Sequence, residues 1–378
     1  MIGRGLPGAV FEALRLTRAG RLLEATARIQ RALHRAAGDA GAATRPVVPR
    51  TTADDAIDVP FVEVDENRPP RRTRPDAPSG PRIPERFEAG SYAHEQGART
   101  YRLYVPADGD GRSLPLVVML HGCTQTAEDF ARGTRMNRLA ARARCLVLYP
   151  EQAESANASR CWNWFRRDHQ QRDHGEPAIL AGMTREIATR HGVDSRRIYV
   201  VGLSAGGAMA AVLATLYPEL YAAVGVHSGL AFRSAHDLPS ALAAMRGMPS
   251  AAEPSAASPQ GHATPTIVFH GDQDRTVHPR NGERVAAHAA AANAGAGEAF
   301  DDDVTVEHGE APGGHRYTRT IHRDRDGHVL LEHWLVHGGG HAWFGGSREG
   351  SHADSRGPDA SREMIRFFSE CAVAEDAA

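Results

Sequence analysis

Residues Tyr199 to Ala211 read YVVGLSAGGAMAA, a single serine between glycines directly after an apolar run. The pattern is G-x-S-x-G, with Gly202 and Gly206 flanking Ser204. A hydroxyl nucleophile held on a sharp strand-to-helix turn needs small neighbours, because side chains two residues away would collide across the turn. The flanks suit that turn. RIYVV reads as a strand, and Met209, Val212, Leu213 and Leu216 recur at i, i+3, i+4 and i+7, as on one face of a helix. The alternative is an ordinary glycine-rich turn with no chemistry; the strand before and the helix after favour a nucleophile whose helix dipole faces a developing oxyanion.

Outward from Ser204 the chain alternates apolar strands and helical segments. TYRLYVP, PLVVML, CLVLYP, RIYVVG, AAVGVH, PTIVFH and HVLLEHWLV read as strands; AEDFARGTRMNRLAARA, AILAGMTREIATRH and GGAMAAVLATLY read as helices. Continuous apolar runs of this length suit strands covered on both faces. The expected fold class is therefore α/β, a mostly parallel, doubly wound sheet with ligands at the carboxyl ends of its strands. Thr126 followed by Asp129 gives the first helix a start resembling a capping box.

A serine needs a base, and the base an orienting carboxylate, in the chain order Ser, Asp, His for this arrangement. PTIVFHGDQDRTV offers Asp272 and Asp274; Asp274 is selected because it lies further past the strand end, with Val277 behind it to anchor the turn. HWLVHGGGHAWFGG offers His337 and His341; His341, beyond the glycines, is selected, and His337 is read as a strand-end residue. The glycine run argues against a helical zinc pair at i, i+4. The oxyanion donors are read as the backbone amides of Ala205 and, in the loop after PLVVML, of Cys123. No metal or organic cofactor is required for such chemistry.

The totals limit the alternatives. The chain has 378 residues, 41% hydrophobic and 24% charged, with a formal net charge of −2, which gives no bulk attraction to nucleic acid. No run is apolar and long enough to span a bilayer. Four cysteines are too few for a disulfide scaffold and lack CxxC spacing; one bridge, Cys123 to Cys161, is compatible with export. Residues 1–42 read as a basic amphipathic helix, with Leu22, Ala25, Ile29 and Leu33 on its stripe, a candidate for docking on a granule or partner. Residues 43–86, with ENRPPRRTRPDAPSGPRIPER, read as an extended linker, leaving 87–378 as the catalytic domain. The N-terminus shows no evident secretory signal, which suggests a cytoplasmic protein.

VVMLHGCTQTAEDFARGTRMN, LVLYPEQ, CWNWF, GEPAILAG, YVVGLSAGGAMA, HGDQDRTV and GGGHAW together resemble the esterase/PHB depolymerase family of α/β hydrolases, from about Tyr101 to Phe368. The resemblance implies an α/β-hydrolase fold, an ester substrate, a triad of Ser204, Asp274 and His341, and an oxyanion position at Cys123. Members of that family are often extracellular. CWNWF matches a segment near the substrate cleft, so Trp162 and Trp164 are either substrate-contacting aromatics or core tryptophans beside a strand end. The chain stops soon after DASREMIRFF, which points toward oligomers or amorphous polyester rather than crystalline polymer; feruloyl and acetyl xylan esters are the alternative. A reading of another class is a non-catalytic α/β-hydrolase-like binding protein. Residues 230–264 read as a cap over the ester pocket or as a surface insertion, and Asp301 to Val329 as a hairpin turning at Asp326-Gly327.

Overall fold

A computed structural model describes residues 84–107, 113–248, 264–295, 304–312 and 314–376. The expected helix over 1–42, and all but the last three residues of the expected linker, lie outside the described residues.

Ten strands form one sheet: β1 (Arg86–His94), β2 (Gly97–Val105), β3 (Leu116–Leu120), β4 (Leu146–Glu151), β5 (Ile198–Leu203), β6 (Ala223–His227), β7 (Thr266–Gly271), β8 (Thr305–Glu310), β9 (Arg316–Arg323) and β10 (Val329–Val336). Their order across the sheet is β1-β2-β4-β3-β5-β6-β7-β10-β9-β8. The stretch from β4 to β10 is parallel; β1 and β2 add antiparallel strands at one edge, and β9 and β8 at the other.

The sequence explains the division. In β3, β5, β6 and β7 every residue is buried, since helices cover both faces. Alternation then decides sides. Leu116, Val118 and Leu120 join a core with α3 (Gly175–His191) and α4 (Ala205–Leu216). Val117 and Met119 join the opposite core with α1 (Ala127–Thr134), α2 (Met136–Ala143) and α7 (Ala360–Asp376). Each such Leu or Val taken fully out of water contributes about 1.5–3 kcal/mol. β1 and β8, by contrast, are largely exposed and polar, as edge strands are.

Register brings the strand ends into line. Leu203 of β5 pairs with His227 of β6, His227 with Phe269 of β7, and Gly271 of β7 with Val336 of β10. The residues that follow these ends, Ser204, Ser228, Asp272 and His337, therefore emerge along one edge.

Two local features differ from the sequence reading. AEDFARGTRMNRLAARA is not one helix: Arg135 turns left-handed (φ 54°) and divides α1 from α2. The loop beyond β11 (Trp343–Phe344) causes the break, for the Ser347 N–H takes the Gly133 carbonyl at 2.8 Å, and Gly345 offers its own carbonyl to the Arg135 guanidinium. Thr126 caps α1 by accepting from the Asp129 N–H at 3.1 Å, but the Asp129 carboxylate bonds Ser351 and Gln125 instead of completing a box. The hairpin before β10 turns at Asp326-Gly327, as read from the sequence, with Gly327 at φ +86°, and β8 adds a third strand to it.

In the 230–264 segment, α5 (Leu238–Met245) is capped by Asp237 and rests on the start of α6 (Arg280–Gly295), where Asn281 Nδ2 donates to the Ala244 carbonyl at 2.9 Å. Residues 249–263 lie outside the described residues. No helix among the described residues is long and apolar enough to cross a membrane.

Candidate active site

Ser204 sits between β5 and α4 with φ 58° and ψ −118°, a conformation that L-residues avoid and that costs on the order of 1–3 kcal/mol. Close packing enforces it. A Cβ on Gly202 would lie 2.1 Å from the Gly206 carbonyl carbon, and a Cβ on Gly206 would lie 2.1 Å from the Leu120 carbonyl oxygen. Both glycines of the motif are thus required by backbone approach, and β3 ends directly against the elbow. The Ser204 N–H donates to the His227 carbonyl at 2.9 Å, tying the turn to the next strand.

The loops after β7 and β10 are stitched together. Asp272 N–H donates to the Val336 carbonyl and Gln273 N–H to the Gly339 carbonyl, both at 3.0 Å. A Cβ on Gly271 would come within 2.2 Å of that Gly339 oxygen. Across this seam His341 Nδ1 lies 2.7 Å from Asp274 Oδ2. Asp274 is a fully buried carboxylate whose Oδ1 accepts from the Thr276 and Val277 N–H groups at 2.8 Å each. Burial alone would raise its pKa, but hydrogen bonds from His270 and His341 outweigh that and hold it well below the usual carboxylate range. Ionised, it can only accept. His341 therefore carries its proton on Nδ1, which leaves Nε2 as the basic nitrogen.

The two residues passed over in the sequence pair with each other. His337 Nδ1 lies 3.1 Å from Asp272 Oδ2, and the other Asp272 oxygen accepts from the Gly338 N–H at 2.8 Å. That carboxylate fixes the start of the glycine loop.

The amides of Cys123, in the loop after β3, and of Ala205, the first residue of α4, make no hydrogen bond among the described residues. The loop after β3 is tightly held. Gly122 N–H donates to Gln125 Oε1 at 2.9 Å, and Cys123 is disulfide-bonded to Cys161. His121 is fully buried; its Nε2 accepts from the Gln152 N–H at 3.1 Å, so its Nδ1–H donates to the Gly122 carbonyl at 2.7 Å. Burial pushes the His121 pKa down to about 4, keeping the ring neutral.

Of the two readings of the CWNWF tryptophans, burial favours core residues beside a strand end. Trp162 is 0% and Trp164 5% exposed, and both belong to the core. Trp162 packs inside that core. Its indole N–H donates to the His121 carbonyl at 3.1 Å, supporting the same loop from beneath.

Three histidines at strand ends were missed. Besides His121, His227 ends β6 and accepts from the Phe344 N–H at 3.1 Å, so it binds the elbow by its carbonyl and the His341 loop by its ring. Burial, reinforced by His270 and His341, drives its pKa well below the ordinary value. His270 Nε2 lies 2.8 Å from the Val277 carbonyl and 3.4 Å from Asp274 Oδ2. A signal existed: LHG, VHS and FHG each place a histidine at the end of an apolar strand.

Comparison with known proteins supplies the family. Residues 99–299 match the family model described as esterase PHB depolymerase. Poly(3-hydroxyalkanoate) depolymerase C of Paucimonas lemoignei is 29% identical over 250 residues, which cover 63% of this chain and 57% of that protein. Feruloyl esterase B of Thermothelomyces thermophilus is 29% identical over 195 residues, covering 48% of this chain and 66% of that one. Acetylxylan esterase A of Aspergillus oryzae is 28% identical over 182 residues, covering 44% and 58%. The chain thus spans 57% to 66% of the length of these relatives. Among solved structures, acetyl xylan esterase from Aspergillus awamori superimposes with a TM-score of 0.58 at 20% identity, over 75% of this chain and 99% of that one. Its likeness is one of fold. With more than half of its length matched by the family model, the chain belongs to the esterase/PHB depolymerase family of α/β hydrolases.

Proposed function

We propose that the protein is a serine esterase that cleaves carboxylic esters through an acyl-enzyme. One observation carries the reading: a buried, ionised Asp274 fixes the Nδ1 proton of His341, while Ser204 stands on a strained elbow two strands away along the same carboxyl edge. In the proposed reaction His341 Nε2 takes the Ser204 hydroxyl proton as the oxygen attacks the ester carbonyl. The resulting oxyanion is held by the Cys123 and Ala205 amides, one such donor being worth about 3 kcal/mol in the transition state. Collapse expels the alcohol, which receives the proton from His341. Water then attacks the acyl-enzyme with His341 as base again, releasing acid and restoring Ser204. Asp274 stabilises the imidazolium throughout without taking a proton.

The proposed substrates are oligomers of 3-hydroxyalkanoates or amorphous polyester, the class named for the Paucimonas relative. Feruloyl or acetylated xylan esters form the second reading, supported by relatives of comparable identity. Purified protein and Ser204→Ala are compared on p-nitrophenyl butyrate, 3-hydroxybutyrate oligomers, methyl ferulate and acetylated xylan. The proposal expects the wild type to hydrolyse the hydroxybutyrate oligomers fastest and the variant to lose all turnover while remaining folded. Undiminished turnover by the variant would remove Ser204 from the role, and faster cleavage of ferulate or acetyl xylan would transfer the substrate assignment.

A further inference from the structure

Two stretches that carry the family resemblance, CWNWF and GEPAILAG, take no part in the acyl transfer proposed above, yet both meet at one carboxylate. Glu176, in the first turn of α3, is 2% exposed. Its Oε1 accepts from Gln152 Nε2 at 2.5 Å, from Asn163 Nδ2 at 2.7 Å and from Arg99 Nη2 at 3.3 Å. Its Oε2 accepts from the Asn163 N–H at 2.7 Å, with His169 Nδ1 3.5 Å away. The four hydrogen-bonding contacts are donors, so only an ionised carboxylate satisfies the site.

From that carboxylate two lines run to the same peptide. Through Gln152, whose backbone N–H donates to His121 Nε2, the first reaches the His121 ring and its bond to the Gly122 carbonyl. Through Asn163, the second reaches Trp162, whose indole holds the His121 carbonyl, and Cys161, which is bonded to Cys123. Gln152 Nε2 also donates to the Cys161 carbonyl at 2.8 Å, closing the two lines on each other. Every restraint named on the Gly122–Cys123 peptide, save Gln125, leads back to Glu176.

A buried ion pair with Arg99 is weak evidence for stability, because well-packed apolar residues usually do as well. Placement explains it better. We infer that Glu176 is a positioning residue for the backbone amide of Cys123, setting the oxyanion donor from beneath. The inference rests on the esterase reading above, since it needs an oxyanion to form there.

The test uses the full chain and three variants. In Glu176→Gln the amide confronts donors with a donor. In the exchange Glu176→Gln with Asn163→Asp, carboxylate and amide trade places. Gln152→Leu cuts one line and leaves the carboxylate intact. Each is assayed for kcat and KM on p-nitrophenyl butyrate and for inhibition by an alkyl trifluoromethyl ketone, whose adduct with a serine carries the oxyanion. Displacing a positioned group costs up to roughly 100-fold. The expected result for Glu176→Gln is a kcat lower by about 10–100-fold with KM held within about twofold, and a ketone Ki raised by the same factor. The exchange should recover most of both, and Gln152→Leu should raise Ki by a smaller factor. A folded Glu176→Gln with wild-type kcat overturns the inference, as does a kcat loss with unchanged ketone Ki. If Glu176→Gln does not fold, an unchanged Ki in Gln152→Leu overturns it. A wild type that neither turns over ester nor binds the ketone would instead sink the esterase reading.

Discussion

Acid should unfold this protein through histidines that the fold keeps neutral. His121 is fully buried, with its Nε2 committed to the Gln152 N–H and its Nδ1–H to the Gly122 carbonyl. In the unfolded chain its imidazole takes a proton near the ordinary value of 6.5, whereas burial delays this to about 4 in the folded state. Stability from this residue is therefore complete above about pH 6.5, falls as pH drops through the interval, and levels off near about pH 4. At about 1.4 kcal/mol per pH unit the loss is roughly 3 kcal/mol. His227, whose pKa burial also lowers, adds a loss in the same direction. Asp274 joins at more acid pH, since a carboxylate with a depressed pKa loses its contribution as pH falls through the usual carboxylate range. The His121 loss of roughly 3 kcal/mol stands against a typical total of about 5–15 kcal/mol. The assay is urea unfolding, followed by tryptophan fluorescence, at several pH values between about 7.5 and 4.5. In His121→Asn the amide can still donate to Gly122 but cannot titrate. The variant should start less stable and then lose stability more slowly, with a slope smaller by about 1.4 kcal/mol per pH unit. Equal slopes in wild type and variant would refute the assignment of a neutral, delayed imidazole.

Other perturbations follow from single contacts. Asp274→Asn should lower kcat by roughly 10⁴-fold on p-nitrophenyl butyrate, because the amide no longer fixes the His341 tautomer; a loss below tenfold in stopped assays would contradict the pairing. Gly206→Ala should fail to yield folded protein by circular dichroism and gel filtration, since its Cβ would sit 2.1 Å from a backbone oxygen. Reducing the Cys123–Cys161 bridge, which spans 38 residues of sequence, should cost about 4 kcal/mol in urea unfolding.

The parallel centre of the sheet was legible because burial on both faces demands uninterrupted apolar runs, as in LVVML and TIVFHG. Edge strands carry no such demand. β1, with its RFEAGSYAH, hides among polar residues and escaped the strand reading, while β8 falls inside the stretch read as a hairpin. The break at Arg135 is set by a loop more than 200 residues downstream, so local helical periodicity could not reveal it. The elbow was visible because its glycines answer a local steric need. Asp274 could be separated from Asp272 by position past the strand, and the structure gives each its own histidine. What stayed hidden was the support. The burial of Trp162, the strand-end histidines and the Glu176 cluster depend on which loops meet in space, and no spacing along the chain encodes that.

Covalent labelling tests most directly whether Ser204 is an activated nucleophile. Folded protein is treated with a fluorophosphonate probe, digested, and the modified peptide sequenced by mass spectrometry. The prediction is a single adduct on Ser204 that forms quickly in the wild type, slowly in Asp274→Asn, and not at all after denaturation. No adduct in folded protein, or an adduct on a different residue, would contradict the central claim.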